Sequence, residues 1–118
     1  MDISILKGKT LRHISNPDSS NIVFHVSSDE AYIMHHQQDC CETVEIEDIC
    51  GNLECLIGNP ILIAEQRCST QVDLYQDPSH TWTFYELATI QGSVTIRWHG
   101  TSNGYYSESV DFERIKND

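Results

Sequence analysis

Apolar and polar residues alternate along most of this chain, the spacing of a strand that buries one face. Thr10-Leu11-Arg12-His13-Ile14 alternates in this way and predicts a first strand. Ile22-Val23-Phe24-His25-Val26, rich in β-branched and aromatic residues, predicts a second, and Ala31-Tyr32-Ile33-Met34-His35 a third. Turn-forming residues separate them at 16–21 and again at 27–30. In residues 43–48, Val44 and Ile46 fall on one face and Glu45 and Glu47 on the other, a fourth strand. Asp48 is placed to N-cap a short helix near residues 49–57, where Ile49, Leu53, Leu56 and Ile57 recur at near-helical spacing before Gly58. A fifth strand is expected at 61–67, followed by a polar loop at 69–79 containing Asp77-Pro78.

The C-terminal third reads as a three-stranded meander over 80–90, 93–99 and 105–115, with Gln91-Gly92 and Ser102-Asn103-Gly104 as its turns. A two-residue first loop sets Thr89 against Val94, Leu87 against Ile96 and Tyr85 against Trp98. Carried onto the third strand, the same apolar face brings Trp98 near Val110 and Ile96 near Phe112. The opposite face then holds Trp82, Phe84, Glu86, Arg97, His99, Ser109 and Asp111, with Arg97 between Glu86 and Asp111. The expected fold is all-β, a barrel or sandwich of about seven to eight mostly antiparallel strands with one short helix.

A chain of 118 residues suits a single domain spanning 1–118. Apolar runs reach only four residues, as at Ile61 to Ala64, too short to cross a membrane as a helix. The N-terminus lacks a basic, then apolar, export signal, so the five cysteines are expected as reduced thiols in a cytoplasm. The net charge of −11 argues against direct contact with nucleic acid or anionic membranes. The charge is also uneven. Between His13 and Gln66 there is no Lys or Arg, while ten of the eighteen acidic residues lie there. Such a surface suits a cationic partner, imitation of nucleic acid, or solubility alone.

The densest chemistry runs from His35 to Gly51, with two histidines, three cysteines and five acidic residues in seventeen positions. His35, His36, Cys40, Cys41, Cys50, Cys55 and Cys68 are all possible metal ligands, but no C-x2-C or H-x3-H spacing joins them. Buried thiols explain these cysteines as well, and no metal or other cofactor is expected. A Cys40 or Cys41 thiolate paired with His35 or His36 is disfavoured by the surrounding carboxylates. Glu45 with Glu47, or Asp39 with Glu42, could hydrolyse a bond or hold an ion, yet alternating Glu on a strand marks a solvated face. No catalytic residue is assigned. The polar meander face is the stronger binding candidate: Trp82, Phe84 and His99 can stack a planar ring, and Arg97 can meet a carboxylate or phosphate. Tyr105 and Tyr106 stand at its loop edge. The same aromatics would equally pack against another layer or subunit.

Two blocks and a closing segment carry a family resemblance. They are His36-Gln37-Gln38-Asp39-Cys40-Cys41-Glu42 with Ile46-Glu47-Asp48-Ile49-Cys50-Gly51, Thr81 to Ile90 with Val94 to Trp98, and Ser102-Asn103-Gly104-Tyr105-Tyr106-Ser107-Glu108-Ser109-Val110. Over roughly residues 11–115 the chain resembles an uncharacterised family of small proteins encoded mainly by bacteriophages and prophages. The resemblance implies a non-catalytic accessory protein in the host cytoplasm, directed against a host defence and expected as a homo-oligomer. One route is sequestration of a nucleotide-derived signal by Trp82, Phe84, Arg97, His99, Tyr105 and Tyr106. The alternative is an acidic mimic that binds a host defence protein through Asp39, Glu42, Glu45 and Glu47. A metal-dependent enzyme is the third possibility.

Overall fold

A computed structural model describes residues 2–18, 20–37, 42–71, 79–102 and 108–115, with side chains for all of them except 17, 18, 69–71 and 79. Eight strands occur among these residues: β1 (His13–Asp18), β2 (Asn21–His25), β3 (Ala31–His35), β4 (Thr43–Cys50), β5 (Ile63–Gln71), β6 (Ser79–Thr89), β7 (Gly92–Ser102) and β8 (Asp111–Ile115). They make two antiparallel four-stranded sheets, ordered β1-β2-β3-β8 and β4-β7-β6-β5, in an all-β, sandwich-like fold. No helix is long and apolar enough to cross a membrane among the described residues.

The period-two alternation is what builds the core. Ile22, Phe24, Tyr32, Met34 and Phe112 come from the first sheet, and Val44, Tyr85, Leu87, Val94, Ile96 and Trp98 from the second. Burying a large side chain of this kind contributes about 1.5–3 kcal/mol. Trp98 joins the two layers, its indole N–H donating to Met34 Sδ at 3.1 Å. Phe112 stacks on Tyr32 with ring centroids 5.5 Å apart and meets Phe24 at 6.2 Å. Ile3 and Leu6, from a 3-10 turn at Ile3–Leu6 that packs against β5, enter the same core.

The expected helix near 49–57 is not formed. β4 runs on through Cys50, Gly51 breaks it, and only a 3-10 turn at Leu53–Leu56 follows, capped by the Asn52 side chain on Glu54 N–H. Gly51 has φ +111°, outside any helix, and a Cβ there would stand 2.6 Å from the Ser93 carbonyl oxygen. The first strand starts at His13 and absorbs Asn16, Pro17 and Asp18, which the sequence marks as a turn.

The expected meander is corrected in two ways. Thr89 pairs with Gly92, so the loop is Ile90-Gln91, and the pairs are Leu87 with Val94, Tyr85 with Ile96 and Thr83 with Trp98. Gly92 takes the positive φ of +153° that follows the loop. A slip of two residues leaves every side chain on its expected face. The third strand does not follow β7. Instead β8 crosses to the other sheet and pairs with β3, His35 opposite Asp111 and Ala31 opposite Ile115. Buried Glu108 fixes the crossing point, accepting hydrogen bonds from Thr81 at 2.9 Å and from Ser102. Gly100 lets it approach, since a Cβ there would lie 2.8 Å from Glu108 Cβ. Phe112 thereby joins the Tyr32 and Phe24 cluster rather than Ile96.

Candidate functional site

The outer face of the β4-β7-β6-β5 sheet carries most of the described candidate residues, and strand register fixes their neighbours. One row across the sheet runs Glu45, His99, Trp82; the next runs Asp48, Arg97, Phe84, Arg67; a third runs Cys50, Thr95, Glu86, Glu65. Their partners in sequence, Val94, Ile96, Trp98, Tyr85 and Leu87, point into the core. Phe84 therefore has an arginine opposite it on each side.

A bulge in β4 shapes the acidic end. Ile46 pairs with Trp98 and Asp48 with Arg97, leaving Glu47 as the extra residue. Its carboxylate accepts from Arg97 Nη2 at 2.9 Å. Arg97 thus pairs with Glu47, not with Glu86 and Asp111 as the meander register implied, because the two-residue slip sets Phe84 opposite Arg97 and β8 is in the other sheet. Its Cζ lies 5.5 Å from the Trp82 ring centroid, within cation–π range, and its buried Nε finds no acceptor among the described residues. Trp82 meets His99 with centroids 4.4 Å apart, and His99 stacks on His80 at 5.1 Å. His80 Nδ1 and His99 Nε2 are 2.9 Å apart, one ring donating to the other.

Beside this cluster an open cavity of about 440 Å³ is lined by Glu65, Arg67, Cys68, Phe84, Glu86 and Thr95. That size suits a small molecule, for which pockets run to roughly 300–1,000 Å³. Of the sequence-predicted ligand residues only Phe84 lines it. Arg97 shares the row of Phe84 without lining the cavity, Trp82 and His99 lie in the adjoining row, and Tyr105 and Tyr106 lie outside the described residues. Arg67 and Glu65 were missed because their strand's register against β6 cannot be read from their own sequence. Only the alternation Glu65-Gln66-Arg67 hinted that both share a face. Arg67 is largely exposed and lies 3.5 Å from Glu65 and 3.9 Å from Glu86, so its guanidinium offsets the repulsion between the two facing carboxylates.

The acidic candidates divide. Glu45 and Glu47 are exposed on the edge strand β4, whereas Glu42 is buried and does not belong to that acidic surface. Glu42 Oε2 lies 3.6 Å from His36 Nε2, and His36 Nδ1 donates to the Ser109 carbonyl at 2.7 Å. That arrangement ties His36 to Glu42 on one side and to Ser109 on the other. Asp39, Cys40 and Cys41 lie outside the described residues. Among the described residues no three His, Cys, Asp or Glu side chains gather to hold a metal ion. Cys50 donates to Asp48 at 3.4 Å, and that carboxylate pushes its thiol pKa up, away from thiolate chemistry.

No curated protein matches this chain, and no solved structure does. A family model does match, over residues 4–112, which span both sheets and the whole outer face. The chain belongs to the family described as Domain of unknown function (DUF7448).

Proposed function

We propose that the protein is a non-catalytic binding protein that holds a small molecule with a planar ring and an anionic group on the outer face of the β4-β7-β6-β5 sheet. The observation that carries this reading is the row Arg67, Phe84, Arg97 beside a cavity of about 440 Å³. A phenyl ring offers a stacking platform, and a guanidinium on either side can meet a carboxylate or phosphate bidentately. Trp82 and His99 extend the platform. Glu47, Glu65 and Glu86 hold the two arginines in place and limit the negative charge a ligand can carry. Nucleotide-derived molecules combine these features. In the bacteriophage setting suggested by the sequence resemblance, the protein sequesters such a signal in the host cytoplasm and blunts a defence response.

Trp82 is a built-in reporter, since the only other tryptophan, Trp98, is fully buried. Fluorescence titration with mononucleotides and cyclic dinucleotides is expected to quench Trp82. Phe84→Ala and Arg67→Ala should each weaken the response about tenfold or more, the loss expected for one stacked ring. Quenching indifferent to both substitutions would overturn the assignment.

A second reading rests on Glu45, Glu47 and Asp48, all exposed on the edge strand β4. This acidic edge suits a basic groove on a host defence protein, with affinity falling steeply as salt rises. Reversing Glu45 and Glu47 to Lys should abolish such a complex. Binding that survives the reversal and high salt would remove this reading.

A further inference from the structure

We infer that β5 is a self-pairing edge, through which two copies of this chain join their β4-β7-β6-β5 sheets into one continuous eight-stranded sheet. β5 is the last strand of its sheet, and an edge strand leaves alternate backbone N–H and C=O groups without a ladder partner. The N-terminal segment pairs its backbone only with the approach to it, Gly8 N–H on the Ile61 carbonyl and Ile61 N–H on that of Lys9, while its turn at Ile3–Leu6 packs against β5 and Asp2, Ser4 and Lys7 line an open groove with residues 64–68. Beyond that point, among the described residues, β5 makes backbone hydrogen bonds within its own sheet alone.

The side chains specify the partner. A two-fold axis perpendicular to the sheet pairs antiparallel strands so that each residue faces one of equal parity. Centred on Gln66, it sets Glu65 against the second copy's Arg67, and Arg67 against its Glu65, on the outer face. Directly opposed residues have Cβ atoms about 4.5–5.5 Å apart, within reach of an ion pair. Gln66 meets its own copy, and a primary amide both donates and accepts. Within one copy the Arg67–Glu65 contact is loose and exposed, at 3.5 Å, so little is lost on re-pairing. The other long edge shows the contrast. Centred on Ile46, β4 would oppose Glu45 with Glu47 of a second copy, like charge against like, and β1 carries Pro17, which lacks an N–H.

The apolar surface points to the same edge. Of the four large hydrophobic residues exposed among those described, Leu62 precedes β5, Ile63 begins it, and Ile5 lies on the turn packed against it. A second copy seated on this edge lies next to all three. The phenylalanine–arginine cavities of the two copies would then flank the junction, because Glu65 and Arg67 line them.

The test is sedimentation equilibrium on the full chain from micromolar to sub-millimolar concentration, with hydrogen–deuterium exchange of residues 63–69. Expected are a monomer–dimer equilibrium and amide protection in 63–69 that rises with concentration. Glu65→Arg should weaken the dimer about tenfold or more, because two symmetry-related attractions become repulsions. That substitution faces Glu86 within the chain and so should not harm the fold, which circular dichroism checks. The exchange Glu65→Arg with Arg67→Glu should restore the dimer. Gln66→Lys, which sets lysine against its own copy, gives the same readout if the charge reversal fails to fold. A chain monomeric at every concentration overturns the inference. So does a dimer indifferent to Glu65→Arg and Gln66→Lys, or one the exchange fails to restore.

Discussion

Tyr85 is fully buried in the middle of β6, and its hydroxyl has no hydrogen-bond partner among the described residues. A buried hydroxyl without a partner carries a desolvation cost of about 1–3 kcal/mol. Tyr85→Phe removes the oxygen and keeps the ring against Ile96. The variant should therefore match or exceed the parent at pH 7 by roughly 1 kcal/mol, about 4 °C in Tm for a domain of this size. Alkaline pH sharpens the test. Burial pushes the Tyr85 phenol well above its ordinary value in the folded state, whereas an unfolded tyrosine ionises near pH 10. A raised folded pKa gives stability that is complete below the unfolded value and drains away as pH rises past it. At about pH 11 the parent should have lost roughly 1.4 kcal/mol that the variant keeps. Urea denaturation under reducing conditions at both pH values measures the gap. A variant less stable than the parent by about 1 kcal/mol or more at pH 7 would mean that the hydroxyl is satisfied and the reasoning wrong.

Three further outcomes follow from other parts of the fold. Gly51→Ala meets both a positive φ and the Ser93 carbonyl and should cost about 2 kcal/mol or more, whereas Gly58→Ala, with φ +87° and open space around it, costs only the backbone strain. Equal losses in urea melts would show that the predicted clash is relieved. Glu30 accepts from Lys9 at 2.6 Å, which holds its carboxyl below the usual range, with Tyr32 O–H adding to the effect. Its contribution is present above the ordinary carboxylate pKa and lost as pH falls through the lowered one, so Glu30→Gln should flatten the acid limb of a Tm–pH profile. Phe112→Ala should cost about 3–5 kcal/mol and strip exchange protection from β3, because β8 pairs there. Protection lost from β7 instead would contradict the crossing.

What the chain revealed in advance was local. Alternation at Asn21–His25 and over Thr43 to Glu47 gave strands and faces, since one buried face pins register parity. The cluster of Trp82, Phe84, Arg97 and His99 was legible for the same reason: a two-residue slip in the hairpin moves neighbours but never changes faces. Long-range facts were hidden. Nothing near Phe112 announces that its partner is Tyr32 rather than Ile96, because either would bury a phenyl ring equally well. The bulge that frees Glu47 for Arg97 depends on how β4 meets β7, and Arg67 enters the site only through its pairing with Phe84. The apolar stripe of 49–57 looked helical because periodicity does not register that Gly51 must take a positive φ.

The crossing of β8 also sets an order in time. The first three strands are made before the other five, yet the strand that completes their sheet is the last of the eight described. On a ribosome, Tyr32 and Met34 must wait, uncovered on that edge, until β8 has emerged. Completion of that sheet is thus deferred until β8 is made, and closure of the long loop between β3 and β8 gates its rate. A chain cut short after Ser102 would hold every outer-face residue described above and still lack the strand that seals its core.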